Sequence, residues 1–131
     1  MVGDTVGDLI IRLKNAGMAK KKELIIPYSK LRFSVLQKLL DAGYIKSVHS
    51  EGDLVQDKIL KVVLDYINNK PRINGVKRLS KPGCRLYVKR DELHPIKFGE
   101  GNLILSTSKG ILTNEEAEDQ GVGGEKLFII W

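Results

Sequence analysis

The sequence predicts an α+β fold made of two small subdomains. Apolar residues recur at helical spacing in two segments of the first half, whereas the second half consists of short apolar runs separated by turn signals. Between the halves, Asn68-Asn69-Lys70-Pro71 interrupts both periodicities. We therefore predict an N-terminal α/β subdomain over residues 1–68 and a mainly β C-terminal subdomain over residues 69–131.

The first predicted helix follows Asp4, a candidate N-cap, and extends to about Ala16. Gly17 would then end it, because glycine readily adopts the left-handed conformation found at helix C-termini. One apolar face follows from the residues at helical spacing, Val6, Leu9, Ile10 and Leu13.

A strand, a second helix and two further strands complete the predicted N-terminal subdomain. The strand covers residues 24–27, and Ser29 caps a helix that runs to about Ala42. Residues 44–48 and 59–64 then form a β-hairpin. The buried face of the second helix is predicted to contain Leu31, Val35, Leu36, Leu39 and Leu40.

The C-terminal subdomain is predicted to contain short strands and one short helix. Lys81-Pro82-Gly83 is a strong turn signal. Thr113 and Glu116 have the spacing of a capping box, which predicts a helix that ends near Gln120. The strands are predicted at residues 73–79, 86–88, 103–105 and 126–131.

The charge distribution favours a polyanionic partner. The formal net charge is +6, and residues 70–97 carry nine Lys or Arg side chains against two acids. Thr113 to Glu125, in contrast, contains five acids and no base. A segregated positive surface is typical of proteins that bind RNA or DNA. Because aromatic residues make up only 6% of the chain, contacts to the backbone and hydroxyls of structured RNA fit better than extensive base stacking.

The composition also argues against a membrane protein, an internal disulfide and a metal site. No apolar run approaches the roughly 18 residues of a membrane span, and the N-terminus has no signal-peptide pattern, so we expect a cytoplasmic protein with no membrane partner. Cys84 is the only cysteine and there are only two histidines, so we expect no internal disulfide, no metal site and no cofactor.

Ser106-Thr107-Ser108-Lys109-Gly110 is the most informative motif. It offers three hydroxyls, one ammonium and a glycine, which suit close contact with sugars, phosphates and base edges. The alternative is a Ser/Thr-rich turn that closes a hairpin. The same residues fit the S-x-x-K motif of penicillin-binding enzymes, but the accompanying S-D-N and K-T-G motifs are absent from the sequence, so we do not predict an enzyme.

Two further segments are candidates for the same surface. Arg85, Tyr87 and Lys89 alternate, which would place an aromatic ring between two cations on one face of a strand. The alternative is an ordinary exposed strand. The glycines of the second segment, Gly121, Gly123 and Gly124, are predicted to permit a tight left-handed turn and close contact with another backbone, that of a protein or that of a nucleic acid.

Taken together, these segments resemble the bacterial small-subunit (30S) ribosomal protein number eight family over essentially the full length. The specific part is the stretch from Ser106 to Ala117 followed by Gly121-Val122-Gly123-Gly124-Glu125 and a terminal aromatic residue. Matching segments in order and spacing lie at residues 8–16, 26–30 and 81–87.

The resemblance implies a non-enzymatic, two-part α/β protein that binds the central domain of 16S rRNA early in assembly of the 30S subunit, beside neighbouring ribosomal proteins. Some members also repress their own operon, so the operon mRNA is a further candidate partner. The C-terminal half would form the main RNA contact and the N-terminal half would add backbone contacts. The implied RNA-binding residues are Ser106, Thr107, Ser108, Lys109, Gly110, Tyr87, Arg85, Lys89, Gly123, Gly124 and Glu125, with Lys30, Arg12 and Asn15 in the N-terminal half.

The residues alone leave two other functions open. A protein-interaction module would tolerate charge reversal at Arg85 and Lys89. A small hydrolase would use Ser106 and lose turnover when that serine is replaced by alanine.

Overall fold

A computed structural model describes residues 5–93 and 101–131, which divide into two compact units. The N-terminal unit is Asp8–Asn74, and the C-terminal unit is Gly75–Trp131 together with the first residues of the chain up to Gly7. The mixture of three helices and antiparallel sheets confirms the predicted α+β class. The subdomain limits 1–68 and 69–131 stay a prediction. Asp4, His94 and Lys97, named or counted in the sequence analysis, lie outside the described residues.

Helix α1 spans Thr5–Met18. Its predicted apolar face is confirmed, except that Val6 is only half-buried. Alternation of apolar and polar residues with a period near 3.6 explains why one side of the helix is buried while Arg12 and Asn15 remain exposed. The buried residues are Leu9, Ile10, Leu13 and Ala16.

Gly17 does not end α1, contrary to the prediction. The helix continues through Gly17, whose missing side chain accommodates Pro71, since an added Cβ would lie 3.2 Å from the Cβ of Pro71. The left-handed residue that ends the helix is Lys20, with φ of 56°. The backbone N–H groups of Lys20 and Lys21 donate to the carbonyls of Gly17 and Ala16, so a lysine takes the place that glycine usually fills.

Helix α2 spans Lys30–Asp41 and is capped as predicted by Ser29, whose hydroxyl oxygen accepts a hydrogen bond from the Arg32 N–H at 3.0 Å. Its buried stripe begins one turn later than predicted, because Leu31 is 39% exposed on the first turn. The fully buried residues are Val35, Leu36 and Leu39.

A three-stranded antiparallel sheet accompanies these helices in the N-terminal unit. The predicted hairpin is confirmed, and its second strand is the centre of the sheet. A 3₁₀ turn, Val55–Asp57, lies in the hairpin loop. The strands are β1 (Glu23–Pro27), β2 (Ile45–Glu51) and β3 (Ile59–Leu64), in the order β1-β3-β2.

The break in periodicity after β3 is a small hairpin of β4 (Tyr66–Ile67) and β5 (Lys70–Pro71). Asn68 and Asn69 form its two-residue turn with φ of 51° and 65°. Two consecutive left-handed residues are typical of a type I′ turn, and asparagine is among the few residues that tolerate them. The Tyr66 hydroxyl donates to the carbonyl of Lys21 and fixes the hairpin to the end of α1.

The C-terminal unit contains a five-stranded antiparallel sheet built around its last strand. The order is β6-β10-β8-β9, and β7 also pairs with β10. The strand β9 was not predicted. The strands are β6 (Val76–Arg78), β7 (Tyr87–Val88), β8 (Asn102–Thr107), β9 (Gly110–Thr113) and β10 (Gly124–Ile130).

Helix α3 spans Asn114–Gln120 and has the predicted capping box. The Thr113 hydroxyl accepts from the Glu116 N–H at 3.2 Å, and the Glu116 carboxylate accepts from the Thr113 N–H at 3.1 Å. Gly121, with φ of 68°, ends the helix. This short helix covers the sheet by packing one alanine into a cluster that contains Leu103, Leu105, Leu112 and Ala117.

We expect Ser29→Ala to lower the free energy of unfolding by about 1 kcal/mol, because the Arg32 N–H would lose its partner. Urea denaturation measures this loss. Ser29→Asp is the matched control, since its carboxylate accepts the same hydrogen bond and should keep most of the stability. Equal losses in both variants would show that the cap is not the source of the effect.

Candidate nucleic-acid interface

A row of three predicted site residues crosses the sheet of the C-terminal unit. Glu125 on β10 is directly opposite Tyr87 on β7 and directly opposite Ser106 on β8. Because opposite residues on paired strands present their side chains on the same face, these three side chains are neighbours. We call them the Tyr87–Ser106 row. Tyr87 is 68% exposed, so most of its ring is open to a ligand.

Next to this row, the β8–β9 hairpin presents Ser108 and Lys109 at its tip. Thr107 and Gly110 close the hairpin as a pair, and Gly110 has a φ of 103° that favours glycine. The Thr107 hydroxyl donates to the Gly110 carbonyl at 2.8 Å and accepts from the Lys109 N–H at 3.1 Å. The motif is therefore a turn that closes a hairpin, with the Thr107 side chain holding its shape.

The side chains at the tip are available to a ligand. Ser108 and Lys109 are exposed, and Ser106 is half-buried. In residues 5–93 and 101–131, no hydrogen bond or ion pair involves the side chains of these three residues. Two hydroxyls and one ammonium thus lie along one edge of a rigid hairpin with their hydrogen-bonding capacity unused.

Gly123 and Gly124 allow β10 to approach its neighbours closely. A Cβ at Gly123 would lie 2.2 Å from the carbonyl oxygen of Val88, and a Cβ at Gly124 would lie 2.3 Å from that of Ser106. Neither distance is sterically possible for a side chain. The backbones that these glycines approach in the structure are those of β7 and β8, so the glycines bring the members of the Tyr87–Ser106 row together.

The segment before β7 is held by a serine that the sequence analysis did not single out. Ser80 is buried, and its hydroxyl accepts from the Leu86 N–H at 2.9 Å and donates to the Leu86 carbonyl at 3.2 Å. Between them, Lys81 and Cys84 exchange two backbone hydrogen bonds around the predicted turn. The only local signal for this role is the position of Ser80 directly before Lys81-Pro82-Gly83.

The predicted strand face of Arg85, Tyr87 and Lys89 is only partly formed. Strand β7 ends at Val88, and Lys89 precedes a 3₁₀ turn in which its N–H donates to the Glu92 carboxylate at 3.0 Å. Lys89 is therefore exposed outside the strand, because this turn bends the chain immediately after β7. Arg85 pairs with Glu125 instead of standing free, with Nη1 and Oε2 3.2 Å apart.

The predicted residues of the N-terminal half belong to the N-terminal unit. Lys30 is exposed as the first residue of α2. Arg12 and Asn15 are exposed on α1, where the guanidinium of Arg12 forms an ion pair with Asp8 one turn earlier, at 3.1 Å. Exposed pairs of this kind contribute little to stability, and this one reduces the charge that Arg12 offers to a ligand.

Within residues 5–93 and 101–131, no three His, Cys, Asp or Glu side chains are grouped in a way that would hold a metal ion. None of the helices in that part of the chain is long and apolar enough to cross a membrane.

Comparison with known proteins places the chain in a family. A family model described as ribosomal protein S8 matches residues 4–131. The chain belongs to the ribosomal protein S8 family. This confirms the resemblance noted in the sequence.

Several relatives support the assignment to the S8 family, each named "Small ribosomal subunit protein uS8". The protein from Mycoplasmopsis synoviae (strain 53) is 43% identical over 98% of this chain and 97% of its own length. The Dictyoglomus thermophilum protein is 43% identical over 99% of this chain and 98% of its own. The Geotalea uraniireducens protein is 45% identical over 98% of this chain and 97% of its own length. The similarity therefore extends over the whole of both chains in each comparison.

We expect Gly124→Ala to destabilise this S8-family chain by about 1–3 kcal/mol, since the new methyl group would overlap the backbone of β8. The control is Gly83→Ala, where a Cβ has open space but φ is 86°, so only the conformational cost of about 1 kcal/mol applies. Urea denaturation of both variants compares the two effects. A Gly124→Ala variant no less stable than Gly83→Ala would contradict the close approach of β10 and β8.

Proposed function

We propose that this chain is a structural, non-catalytic constituent of the small ribosomal subunit that binds the central domain of 16S rRNA and helps to assemble the 30S platform. Its membership of the S8 family supports the ribosomal role and a cytoplasmic location. The observation that carries the RNA-binding part is the Tyr87–Ser106 row beside the free Ser108 and Lys109 side chains.

The side chains of this surface suit RNA better than a partner that is recognised by its negative charge alone. Hydroxyl groups such as those of Ser106 and Ser108 can donate to a phosphate or accept from a ribose 2′-hydroxyl, which DNA lacks. Lys109 supplies one positive charge at the hairpin tip, and the exposed ring of Tyr87 can stack on a base or a sugar. Because all four side chains are carried by paired strands or the tight turn between them, the surface is preorganised before RNA binds.

The glycine and threonine residues of the proposed site act through geometry. Gly123 and Gly124 bring β10 against β7 and β8, and Gly110 together with the Thr107 hydroxyl shapes the hairpin tip. Their contribution to RNA binding would come from placing the neighbouring polar side chains. Lys89, exposed after β7, would contact the RNA backbone as a charge.

The N-terminal unit would add contacts to the RNA backbone through Lys30, Arg12 and Asn15, all of which are exposed. Among these, Lys30 has the strongest claim to a phosphate, because Arg12 already pairs with Asp8. Neighbouring small-subunit proteins are further proposed partners. The operon mRNA of the protein is another, provided that it presents the same structural features as the rRNA site.

A titration of the purified protein with a helix fragment of the 16S rRNA central domain tests this function. A scrambled hairpin of equal length is the control, and both are measured at two salt concentrations. Preference for the rRNA fragment that persists at higher salt supports site-specific binding, whereas equal affinities that fall together with salt indicate only a basic surface. A hydrolase would instead need a base hydrogen-bonded to Ser106, and the described part of the chain supplies none.

We expect Lys109→Ala to weaken binding of the rRNA fragment about tenfold. The slope of log affinity against log salt concentration should become shallower by about one, as expected for the loss of one phosphate contact. Ser108→Ala should weaken binding about fivefold, which corresponds to the loss of one hydrogen bond of about 1 kcal/mol. Both side chains are exposed and have no hydrogen-bond or ion-pair partner among the described residues, so thermal melting should stay unchanged.

Lys46→Ala is the matched control for these two variants, because Lys46 is an exposed lysine on β2 of the N-terminal unit that is not assigned to the site. It should retain the affinity of the unaltered protein. If Ser108→Ala and Lys109→Ala both bind like this control while melting normally, the hairpin tip is not the RNA-binding site.

A further inference from the structure

The most unexpected group in the proposed RNA-binding surface is a carboxylate. Glu125 occupies the middle of the Tyr87–Ser106 row, between an exposed aromatic ring and a serine hydroxyl. An unpaired negative charge there would repel RNA phosphates, and the repulsion grows as water is excluded from the interface. The structure compensates this charge with Arg85, whose Nη1 lies 3.2 Å from Oε2 of Glu125. The pair is neutral overall.

The backbone that carries Arg85 is fixed in place. The next residue, Leu86, forms two hydrogen bonds with the Ser80 hydroxyl, and its carbonyl also accepts from the Lys126 N–H at 2.8 Å. Lys126 is itself the residue after Glu125. The backbone hydrogen bond between Leu86 and Lys126 therefore joins the residues that directly follow Arg85 and Glu125. This bond limits how far the two partners of the ion pair can separate.

Glu125 retains one carboxylate oxygen for a ligand. Its side chain is 20% exposed, and in the described residues Oε1 has no hydrogen-bond partner. Among those same residues, no side-chain oxygen or nitrogen is both buried and unpaired, so Oε1 is accessible to solvent. An ionised carboxylate only accepts hydrogen bonds, so the group that fits Oε1 is a donor.

We propose that Arg85 is a positioning residue, which holds Glu125 so that its free oxygen accepts a hydrogen bond from an RNA donor, and that Arg85 does not itself neutralise a phosphate. The donor is a ribose 2′-hydroxyl or an N–H group of a base, the neutral hydrogen-bond donors that RNA offers. This inference rests on the proposed RNA-binding function and gives different residues of the surface different roles in it. Lys109 supplies charge, and the Arg85–Glu125 pair supplies selectivity.

The salt dependence of binding separates positioning from phosphate contact. Arg85→Ala should weaken binding of the rRNA fragment about tenfold, because Glu125 loses the group that positions and neutralises it. In the Glu125→Ala background, where no carboxylate is left to hold, the same Arg85→Ala change should leave the salt slope unchanged. Arg85→Lys, which keeps a cation beside Glu125, should recover most of the affinity. A fall of the salt slope by about one when Arg85→Ala is added to Glu125→Ala would overturn the proposal, because it would show a phosphate contact that does not depend on Glu125.

A double-mutant cycle tests whether Arg85 acts through Glu125. Glu125→Ala should weaken binding about as much as Arg85→Ala, and the double variant should be no weaker than either single variant. Additive losses would show that the two residues act independently and would overturn the proposal. Melting temperatures of all variants are measured alongside. The exposed position of Arg85 predicts little change for its variants, and Glu125→Ala, at a side chain only 20% exposed, is titrated at a temperature where it is fully folded.

Modified RNA identifies the donor. Fragments with single 2′-deoxy nucleotides and fragments with single base analogues lacking an N–H group are compared on the unaltered protein and on Glu125→Ala. The donor is the position whose modification weakens binding to the unaltered protein but not to the variant. If no position behaves in this way, the proposal is wrong. If the unaltered protein does not prefer the rRNA fragment over the scrambled hairpin, the proposed function itself fails, an outcome distinct from either of these.

Discussion

The proposed binding surface depends on the close approach of β10 to the strands on either side of it. Gly123 and Gly124 make this approach sterically possible, since a Cβ at either position would overlap a backbone carbonyl of β7 or β8. Two flanking strands can then present their side chains beside those of β10. Without this contact, the strands that carry Tyr87 and Ser106 would not be joined through β10, and the two side chains would have no common face.

The surface is more specific in its hydrogen-bonding groups than in its charge. The chain carries a net charge of +6, yet the row contains one carboxylate, and its nearest cation, Arg85, is paired with it. In the part of the chain that the structure describes, the hydroxyls of Ser106 and Ser108 and the ammonium of Lys109 remain without a protein partner. Charge draws a basic protein to any nucleic acid, but the arrangement of donors and acceptors decides which one it retains. A surface of this composition is suited to recognising the sugar edge and shape of a folded RNA.

Polar side chains fix the local geometry of the surface at low cost in stability. The Thr107 hydroxyl holds the hairpin tip, and the buried Ser80 hydroxyl satisfies both backbone groups of Leu86. Each of these hydroxyls acts as both donor and acceptor, so no buried polar group of these residues is left unpaired. Their rigidity reduces the entropy that would otherwise be lost when RNA binds.

The sequence by itself determined the elements whose causes are local. Ser29 and the Thr113–Glu116 pair begin α2 and α3 as predicted, because a cap needs only side chains within three residues of the helix start. Local rules failed where tertiary packing prevails. Gly17 lies inside α1 because Pro71 packs against it, and Lys20 takes the left-handed position that the pattern assigned to glycine.

Only the tertiary structure decided how the candidate site is assembled. Sequence patterns singled out Tyr87, Ser106 and Glu125 one by one, but their alignment depends on the register of three strands that are distant in the chain. A shift of one residue in that register would turn the side chains of a strand to its other face. The pairing of Arg85 with Glu125 likewise joins residues forty positions apart, for which no local signal exists. Local sequence patterns therefore predicted which residues belong to the candidate site, and the pairing of distant strands brought those residues together.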